Sequence, residues 1–238
     1  MNAWRKISRA VLELVYPRGV SCLGCGDPLH ADRRTGLCEK CMQRLEKLKI
    51  TDACPRCMTK LDANGRCGFC RGKPIRYLRA CYGAYTYTGL ARKLIWRLKF
   101  HWEDEPAQVL ADNMLPLPPR GEYDALVPVP LHERRQRRRG ANQAETLCRL
   151  LAPRLGMPVL PLLKRTGDTL SQVKLSAAMR RKNVRNAFEA TGSAEGLRIL
   201  LVDDIRTTGA TAQECARMLL KCGAKYVGLL TAAIAMKK

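Results

Sequence analysis

The chain has 238 residues, enough for one large domain or two smaller ones, and its hydrophobic content of 46% is ordinary for a globular protein. Its 43 basic and 21 acidic residues leave a formal charge of +22, which points to a polyanionic partner such as nucleic acid. No apolar run reaches the roughly 18 residues that a membrane-spanning helix needs, which argues against a membrane span.

Residues 1–20 are predicted to form a short amphipathic helix. The segment starts basic, as a signal peptide does, but Glu13 interrupts its apolar part and no small-residue cleavage site follows. Its apolar residues fall near one helical face: Trp4, Ile7, Val11, Leu14 and Val15. We expect this face to dock onto the protein itself; contact with a membrane surface or a partner is the other interpretation.

Residues 21–75 are predicted to form a double zinc ribbon. Eight of the 12 cysteines fall there in four C-x-x-C pairs, or knuckles: Cys22 and Cys25, Cys38 and Cys41, Cys54 and Cys57, Cys67 and Cys70. The two-residue gap lets both sulfurs of a knuckle reach one tetrahedral ion at about 2.3 Å. Because short gaps separate the first knuckle from the second and the third from the fourth, we predict two sequential Cys₄ zinc sites. An interleaved arrangement and an iron–sulfur cluster are the alternatives.

The cysteine spacing also bears on location and charge. A metal pattern without a convincing secretion signal is typical of a reducing compartment, so we expect a cytoplasmic protein. Four thiolates around Zn²⁺ carry a net charge of −2, and two such sites would lower the formal charge from +22 to +18. Closed Cys₄ sites are usually structural, and this module would need the metal as its core. Docking of nucleic acid or a partner protein is a further role open to it.

Residues 76–238 are predicted to form an α/β domain. Strand-like segments fall near 80–87, 124–129, 158–163, 197–203 and 225–234. Helix-like segments fall near 89–100, 105–115, 141–154, 176–186 and 210–222. This alternation indicates a mainly parallel sheet with helices on both faces. The polar segment 164–176 lacks periodicity and is predicted to be a mobile loop near a site.

The stretch "LLVDDIRTTGAT", residues 200–211, carries the clearest chemistry. An apolar run typical of a central parallel strand ends in Asp203 and Asp204, at the sheet edge where α/β proteins place ligands. The loop that follows opens a helix, where free N–H groups, hydroxyls and the helix dipole form a phosphate cradle. Its residues are Thr207, Thr208, Gly209, Ala210 and Thr211. Gly223 is predicted to follow the last residue of this helix.

A ribose 5-phosphate satisfies both halves of this stretch. Its phosphate would lie in the threonine loop, and its hydroxyls would donate to the two carboxylates. The chain has neither G-x-x-x-x-G-K-[ST] nor G-x-G-x-x-G, which disfavours an NTPase or a dinucleotide enzyme.

The stretch resembles the binding motif for 5-phosphoribosyl 1-pyrophosphate (PRPP) of type I phosphoribosyltransferases. The whole chain resembles the ComF family of competence-associated proteins, which joins a zinc ribbon to such a domain. Beside the knuckles, the resemblance rests on "LIWRLKF" (94–100), "VPVPLHERRQRRRGANQAETL" (127–147) and "RTGDTLSQVKLSAAMRRKNVRNAF" (165–188).

The resemblance implies a role for particular residues. Asp203 and Asp204 would hold the ribose hydroxyls and act as catalytic residues together with Mg²⁺, and residues 207–211 would hold the 5-phosphate. The loop around Leu131, His132 and Arg134 resembles the pyrophosphate loop of that fold. No residue identifies the acceptor.

Three hypotheses for the function follow. The first is a PRPP-dependent transferase with an unknown acceptor. The second is a non-catalytic adaptor that binds PRPP and single-stranded DNA during natural transformation or DNA utilisation. The third, a zinc-ribbon nucleic-acid binder with a vestigial PRPP site, is disfavoured because the motif is intact. The family resemblance further implies a competence helicase or other DNA-uptake proteins as partners.

Two basic clusters are candidates for contact with single-stranded DNA. In the first, Arg135, Arg137, Arg138 and Arg139 follow Arg134; the second comprises Arg180, Arg181 and Lys182. A solvated charged turn that serves only pyrophosphate is the simpler interpretation. Aromatic residues for base stacking are scarce, and the best candidates are Trp96, Phe100 and Trp102.

Overall fold

The computed structural model describes residues 21–29, 36–72, 75–100, 104–166 and 187–236. The helices predicted within 1–20 and near 176–186 lie outside these ranges, as does the second basic cluster of Arg180, Arg181 and Lys182. Among the described helices, none has the length and apolar character needed to cross a bilayer.

The chain divides into two compact units, Met1–Lys47 and Leu48–Lys238. The first unit contains the first two knuckles and helix α1 (Glu39–Glu46), which buries Cys41 and Leu45. The second unit contains the other two knuckles, the short helix α2 (Gly68–Gly72) and the sheet. This division does not coincide with the predicted boundary after residue 75, because the last two knuckles pack into the hydrophobic core beneath the sheet.

The central sheet has four parallel strands. They are β1 (Cys81–Thr86), β2 (Ala125–Pro128), β5 (Arg198–Arg206) and β6 (Tyr226–Ile234). Their order is β1-β6-β5-β2, so β5 lies inside the sheet between β6 and β2. Residues 199–202 of β5 are fully buried, as expected of a strand covered on both faces. The four strands predicted at these places are confirmed.

A separate antiparallel pair joins β3 (Leu163–Arg165) to β4 (Phe188–Ala190). The strand predicted near 158–163 is wrong. Val159 makes an isolated bridge to Leu126, and regular pairing begins at Leu163. Pro158 and Pro161 have no backbone N–H to donate to a ladder, which explains why the apolar run does not continue as a strand.

Helices flank the sheet strands along the chain. They are α3 (Gly89–Phe100), α4 (Asp104–Met114), α5 (Glu133–Arg139), α6 (Gln143–Leu155) and α7 (Ala210–Lys221). All but α5 confirm predicted helices. Helix α7 packs on β4, β5 and β6 through Ala212, Cys215, Ala216 and Leu219, the apolar stripe that its spacing predicts.

Candidate functional site

The eight knuckle cysteines form two groups, and in each group the sulfurs lie within 4.8 Å of one another. The first tetrad is Cys22, Cys25, Cys38 and Cys41, and the second is Cys54, Cys57, Cys67 and Cys70. Sequential grouping is therefore confirmed, and the interleaved alternative is wrong. Sulfur–sulfur distances of 3.7 Å in the first tetrad and of 3.4 and 4.0 Å in the second bracket the roughly 3.8 Å of a zinc tetrahedron with 2.3 Å bonds.

Backbone N–H groups point at the knuckle sulfurs. Gly24 and Cys38 donate to Cys22 Sγ at 3.3 and 3.2 Å, and Cys70 donates to Cys67 Sγ at 3.3 Å. Burial alone would raise the pKa of Cys22, but the N–H groups outweigh it and lower that pKa to about 6. Because the thiolate is the form that binds metal, these bonds prepare the sulfur for zinc.

Asp203 and Asp204, the acidic pair, lie within the last part of β5 rather than after it. Asp203 Oδ1 accepts a hydrogen bond from the backbone N–H of Asp204 at 2.8 Å. Asp203 retains some exposed surface, but the protein packed around its carboxyl raises its pKa to about 8, and the charge of Asp204 adds to the shift. At neutral pH Asp203 therefore keeps its proton unless a positive charge compensates the carboxylate.

A lysine supplies positive charge beside the two aspartates. The ammonium of Lys99, on α3, lies 2.8 Å from Asp204 Oδ2, and the two side chains are only 17% and 10% exposed. The sequence reasoning did not identify Lys99 as a site residue. The available signal was its position in the "LIWRLKF" segment, where a lone lysine follows the apolar residues of a helix.

The threonine loop forms the N-terminus of α7, as predicted. Gly209 is the N-cap residue with a left-handed φ of 72°, a conformation that favours glycine. Thr208 Oγ1 accepts from the N–H of Ala210 at 3.4 Å, and no acidic side chain lies in the first turn. The positive end of the helix dipole therefore carries no acidic side chain, as an anion site requires.

The segment after β2 reaches the same edge of the sheet. Val129 donates its N–H to Val202 O at 2.9 Å, so this segment starts beside the acidic pair. Leu131 and His132 are half-buried, and His132 caps α5 by accepting the N–H of Arg134 on Nδ1 at 3.3 Å. The predicted loop around 131–134 is therefore shorter than expected, because Arg134 already belongs to a helix.

Helix α5 carries the first basic cluster. Arg134 and Arg137 are exposed; Arg137, 73% exposed, pairs with Glu133 at 3.5 Å across one helical turn. The side chains of Arg135, Arg138 and Arg139 lie outside the described part of the structure. Buried Asn142 follows α5 and donates to Val129 O at 3.0 Å, which ties the helix back to the end of β2.

The chain matches one family model and several named proteins. The model of the double zinc ribbon domain family matches residues 11–71. The chain is 35% identical over 214 residues to the DNA utilization protein YhgH of Salmonella typhimurium, covering 87% of this chain and 93% of the relative. It is 33% identical over 235 residues to competence protein F of Haemophilus influenzae, with the same coverage of both chains. It is 31% identical over 150 residues to competence protein ComFC of Bacillus subtilis, covering 61% of this chain and 60% of that one.

Similar solved structures include a glutamine PRPP amidotransferase from B. subtilis, with 21% identity, a TM-score of 0.35 and 60% of this chain covered. The chain spans only 26% of that enzyme. An adenine phosphoribosyltransferase from Rhodothermus marinus has 18% identity and a TM-score of 0.36, covering 55% of this chain and 68% of that one.

Proposed function

This chain belongs to the ComF family, with YhgH and competence protein F among its relatives, and we propose that it binds PRPP with Mg²⁺ at the carboxyl edge of its sheet. One observation carries the proposal: Asp203 and Asp204 lie in the last part of β5, and the N-terminus of α7 begins shortly after it at Gly209. A ribose 5-phosphate offers hydroxyls to carboxylates and an anion to a helix N-terminus, so it suits both groups at once.

Each group has a distinct proposed task. The carboxylates of Asp203 and Asp204 accept hydrogen bonds from the ribose hydroxyls. The N–H groups and hydroxyls of residues 207–211 hold the 5-phosphate. Leu131, His132 and Arg134 follow Val129, where the segment starts beside the acidic pair, and form the approach for pyrophosphate. The guanidinium of Arg134 is the group there that can donate two hydrogen bonds to it.

The donor set suits Mg²⁺. Carboxylate oxygens are the hard ligands this ion prefers, so Asp203 and Asp204 would hold it directly or through water. When bound, Mg²⁺ neutralises charge on the pyrophosphate. Transfer would break the bond between the anomeric carbon and the pyrophosphate oxygen, which keeps the electron pair, and would join that carbon to an acceptor that loses a proton. The protein contributes orientation of the ribose and a charged setting for the leaving group.

The DNA link rests on a different observation. Helix α5 exposes Arg134 and Arg137 next to the segment that reaches the site, and two relatives are named for DNA utilization and competence. We infer that this helix contacts the phosphates of single-stranded DNA. A PRPP-binding adaptor without turnover is the second candidate function, since exposed arginines of this kind serve binding whether or not transfer occurs.

Titration calorimetry with PRPP and Mg²⁺ tests the proposal. Asp203→Asn/Asp204→Asn should weaken PRPP binding by roughly 100-fold, since hydrogen bonds to charged groups contribute about 1.5–3 kcal/mol each. Asp112→Asn is the matched control, because that aspartate lies on α4 and is paired with Arg154. Binding by the double variant as tight as that of the control would contradict the proposed site.

Pyrophosphate release separates the two candidate functions. Release with a candidate acceptor that is lost in Asp204→Asn supports the transferase. Release that survives Asp204→Asn contradicts the transfer mechanism given above. Tight PRPP binding without any release favours the adaptor.

A further inference from the structure

Arg206 connects the threonine loop, residues 207–211, to the second cysteine tetrad. It is the last residue of β5, directly before the threonine loop, and its side chain is only 3% exposed. Its Nη2 atom donates to the carbonyl oxygen of Cys57 at 2.8 Å and to Thr59 Oγ1 at 3.0 Å. Cys57 is a ligand of the second tetrad, so one side chain joins the strand of the acidic pair to a knuckle.

Phe69 forms the other half of this connection. It lies between Cys67 and Cys70, and its ring centre is 4.8 Å from the guanidinium carbon of Arg206. A methyl group on Gly209 would lie 3.9 Å from Phe69 Cζ and 3.9 Å from Arg206 Cδ. The left-handed turn that begins α7 therefore faces these two side chains, with room for about one methyl group between.

The charges explain why the metal matters here. A buried guanidinium is costly unless an opposite charge compensates it. The described contacts of Arg206 are with the neutral groups above, and its Nε makes no hydrogen bond within the described residues. A zinc tetrathiolate carries a net charge of −2, so the loaded second tetrad would supply the missing negative charge beside Cys57, whose carbonyl oxygen Arg206 contacts.

We propose that the second tetrad and the threonine loop are energetically coupled, with Arg206 and Phe69 as the positioning residues between them. Zinc in this tetrad strengthens binding of the PRPP 5-phosphate to the loop. Bound PRPP in turn strengthens binding of this zinc. The inference rests on the proposed function. Reciprocity is required by thermodynamic linkage, and couplings of this kind typically change affinities by roughly 5- to 150-fold.

The test measures, at equilibrium, the zinc that the full-length protein loses to increasing concentrations of a chromogenic chelator, with and without PRPP and Mg²⁺. PRPP should raise the chelator concentration that removes one of the two zinc ions at least fivefold. Cys38→Ser, which disables the first tetrad, should leave the PRPP-sensitive zinc in place and so assign it to the second tetrad. Calorimetry on the same samples reports PRPP binding independently.

Two variants and a matched control isolate the positioning residues. Arg206→Met removes the hydrogen bonds and the charge but keeps most of the stem, and Phe69→Leu removes only the ring. Both variants should bind PRPP at least fivefold more weakly. In both, PRPP should also lose most of its effect on the loss of zinc to the chelator. Arg56→Met is the control: Arg56 lies in the same knuckle as Cys57, but its guanidinium donates to Ile75 O instead.

The outcomes separate the two claims. PRPP binding with an unchanged equilibrium loss of zinc to the chelator in the wild-type protein overturns the coupling and leaves the proposed function standing. Absence of PRPP binding overturns both. If Arg206→Met does not fold, the wild-type measurement and Phe69→Leu still decide. An equal loss of coupling in Arg56→Met would show a general effect of a damaged knuckle and would overturn the specific role of Arg206.

Discussion

The ammonium nitrogen of Lys99 lies 2.8 Å from Oδ2 of Asp204, so a carboxylate proposed to hold ribose is already paired inside the protein. The pair joins α3 to the end of β5, and both side chains are largely buried. Lys99 therefore balances part of the charge of the acidic pair and would compete with the Mg²⁺ proposed to bind there.

Removal of this lysine should lower stability while raising affinity for the metal. We expect Lys99→Met to reduce the free energy of unfolding by about 3 kcal/mol, the low end for a broken buried ion pair, because Asp204 loses its partner. Affinity for Mg²⁺ alone should rise, since the site becomes more negative. Denaturant unfolding and Mg²⁺ titration measure the two effects.

Lys164→Met is the matched control for Lys99. Lys164 pairs with Glu189 at 3.0 Å, but both side chains are more than half exposed, so its loss should cost below about 1 kcal/mol. Equal effects of the two substitutions would show that Lys99 is an ordinary surface charge.

Local patterns predicted the strand, the acids and the threonine loop, because each follows from neighbours in the sequence. The apolar run of β5, the glycine at the helix N-terminus and the stripe of α7 are all local signals. Lys99 and Arg206 escaped prediction because their partners are remote in the chain: Asp204 lies more than 100 residues from Lys99, and Cys57 nearly 150 from Arg206. Contacts of this kind appear only when the fold is known.

The acidic pair should make stability depend on pH. The pKa of Asp203 is raised from 3.8 to about 8, mainly by burial, so between these values the folded protein keeps a proton that the unfolded chain releases. This group therefore favours folding most below pH 4, and its contribution is lost as pH rises towards 8. Asp203→Asn should remove that loss and raise the melting temperature at pH 8 more than at pH 5.

Asp124 provides a comparison of opposite sign. Hydrogen bonds from Arg198 lower the pKa of Asp124 to about 2, so its contribution is present at neutral pH and is lost as pH falls below about 4. Asp124→Asn should therefore lower the melting temperature at neutral pH. For the preceding prediction, a lower melting temperature of Asp203→Asn than of the wild-type protein at pH 8 would contradict the raised pKa of Asp203.

The glycine after α7 should be more sensitive than other helix-terminal glycines. Gly223 has a φ of 96°, and a Cβ there would clash with Glu195 Oε2 and lie 2.9 Å from Glu195 Cα. Gly156 ends α6 with a φ of 67° and open space around it. Gly156→Ala should thus cost about 1 kcal/mol from backbone strain alone, and Gly223→Ala a further roughly 1–3 kcal/mol from the clash. Chemical unfolding of both variants measures the difference, and equal costs would show that Glu195 moves aside freely.

The exposed arginines of α5 should govern the salt dependence of binding to single-stranded DNA. If the protein neutralises about six phosphates, the logarithm of affinity should fall with the logarithm of salt concentration at a slope of roughly −4. Arg134→Glu/Arg137→Glu removes two of these contacts, and the slope should become shallower by roughly 1.4.

Arg149→Glu is the control, because Arg149 is 69% exposed on α6 and pairs with Asp104 instead. Fluorescence anisotropy with a labelled oligonucleotide of mixed sequence, repeated over a salt series, gives all three slopes. A slope that is the same for the double variant and the control would place the DNA contact elsewhere, whereas a change confined to the double variant assigns it to α5.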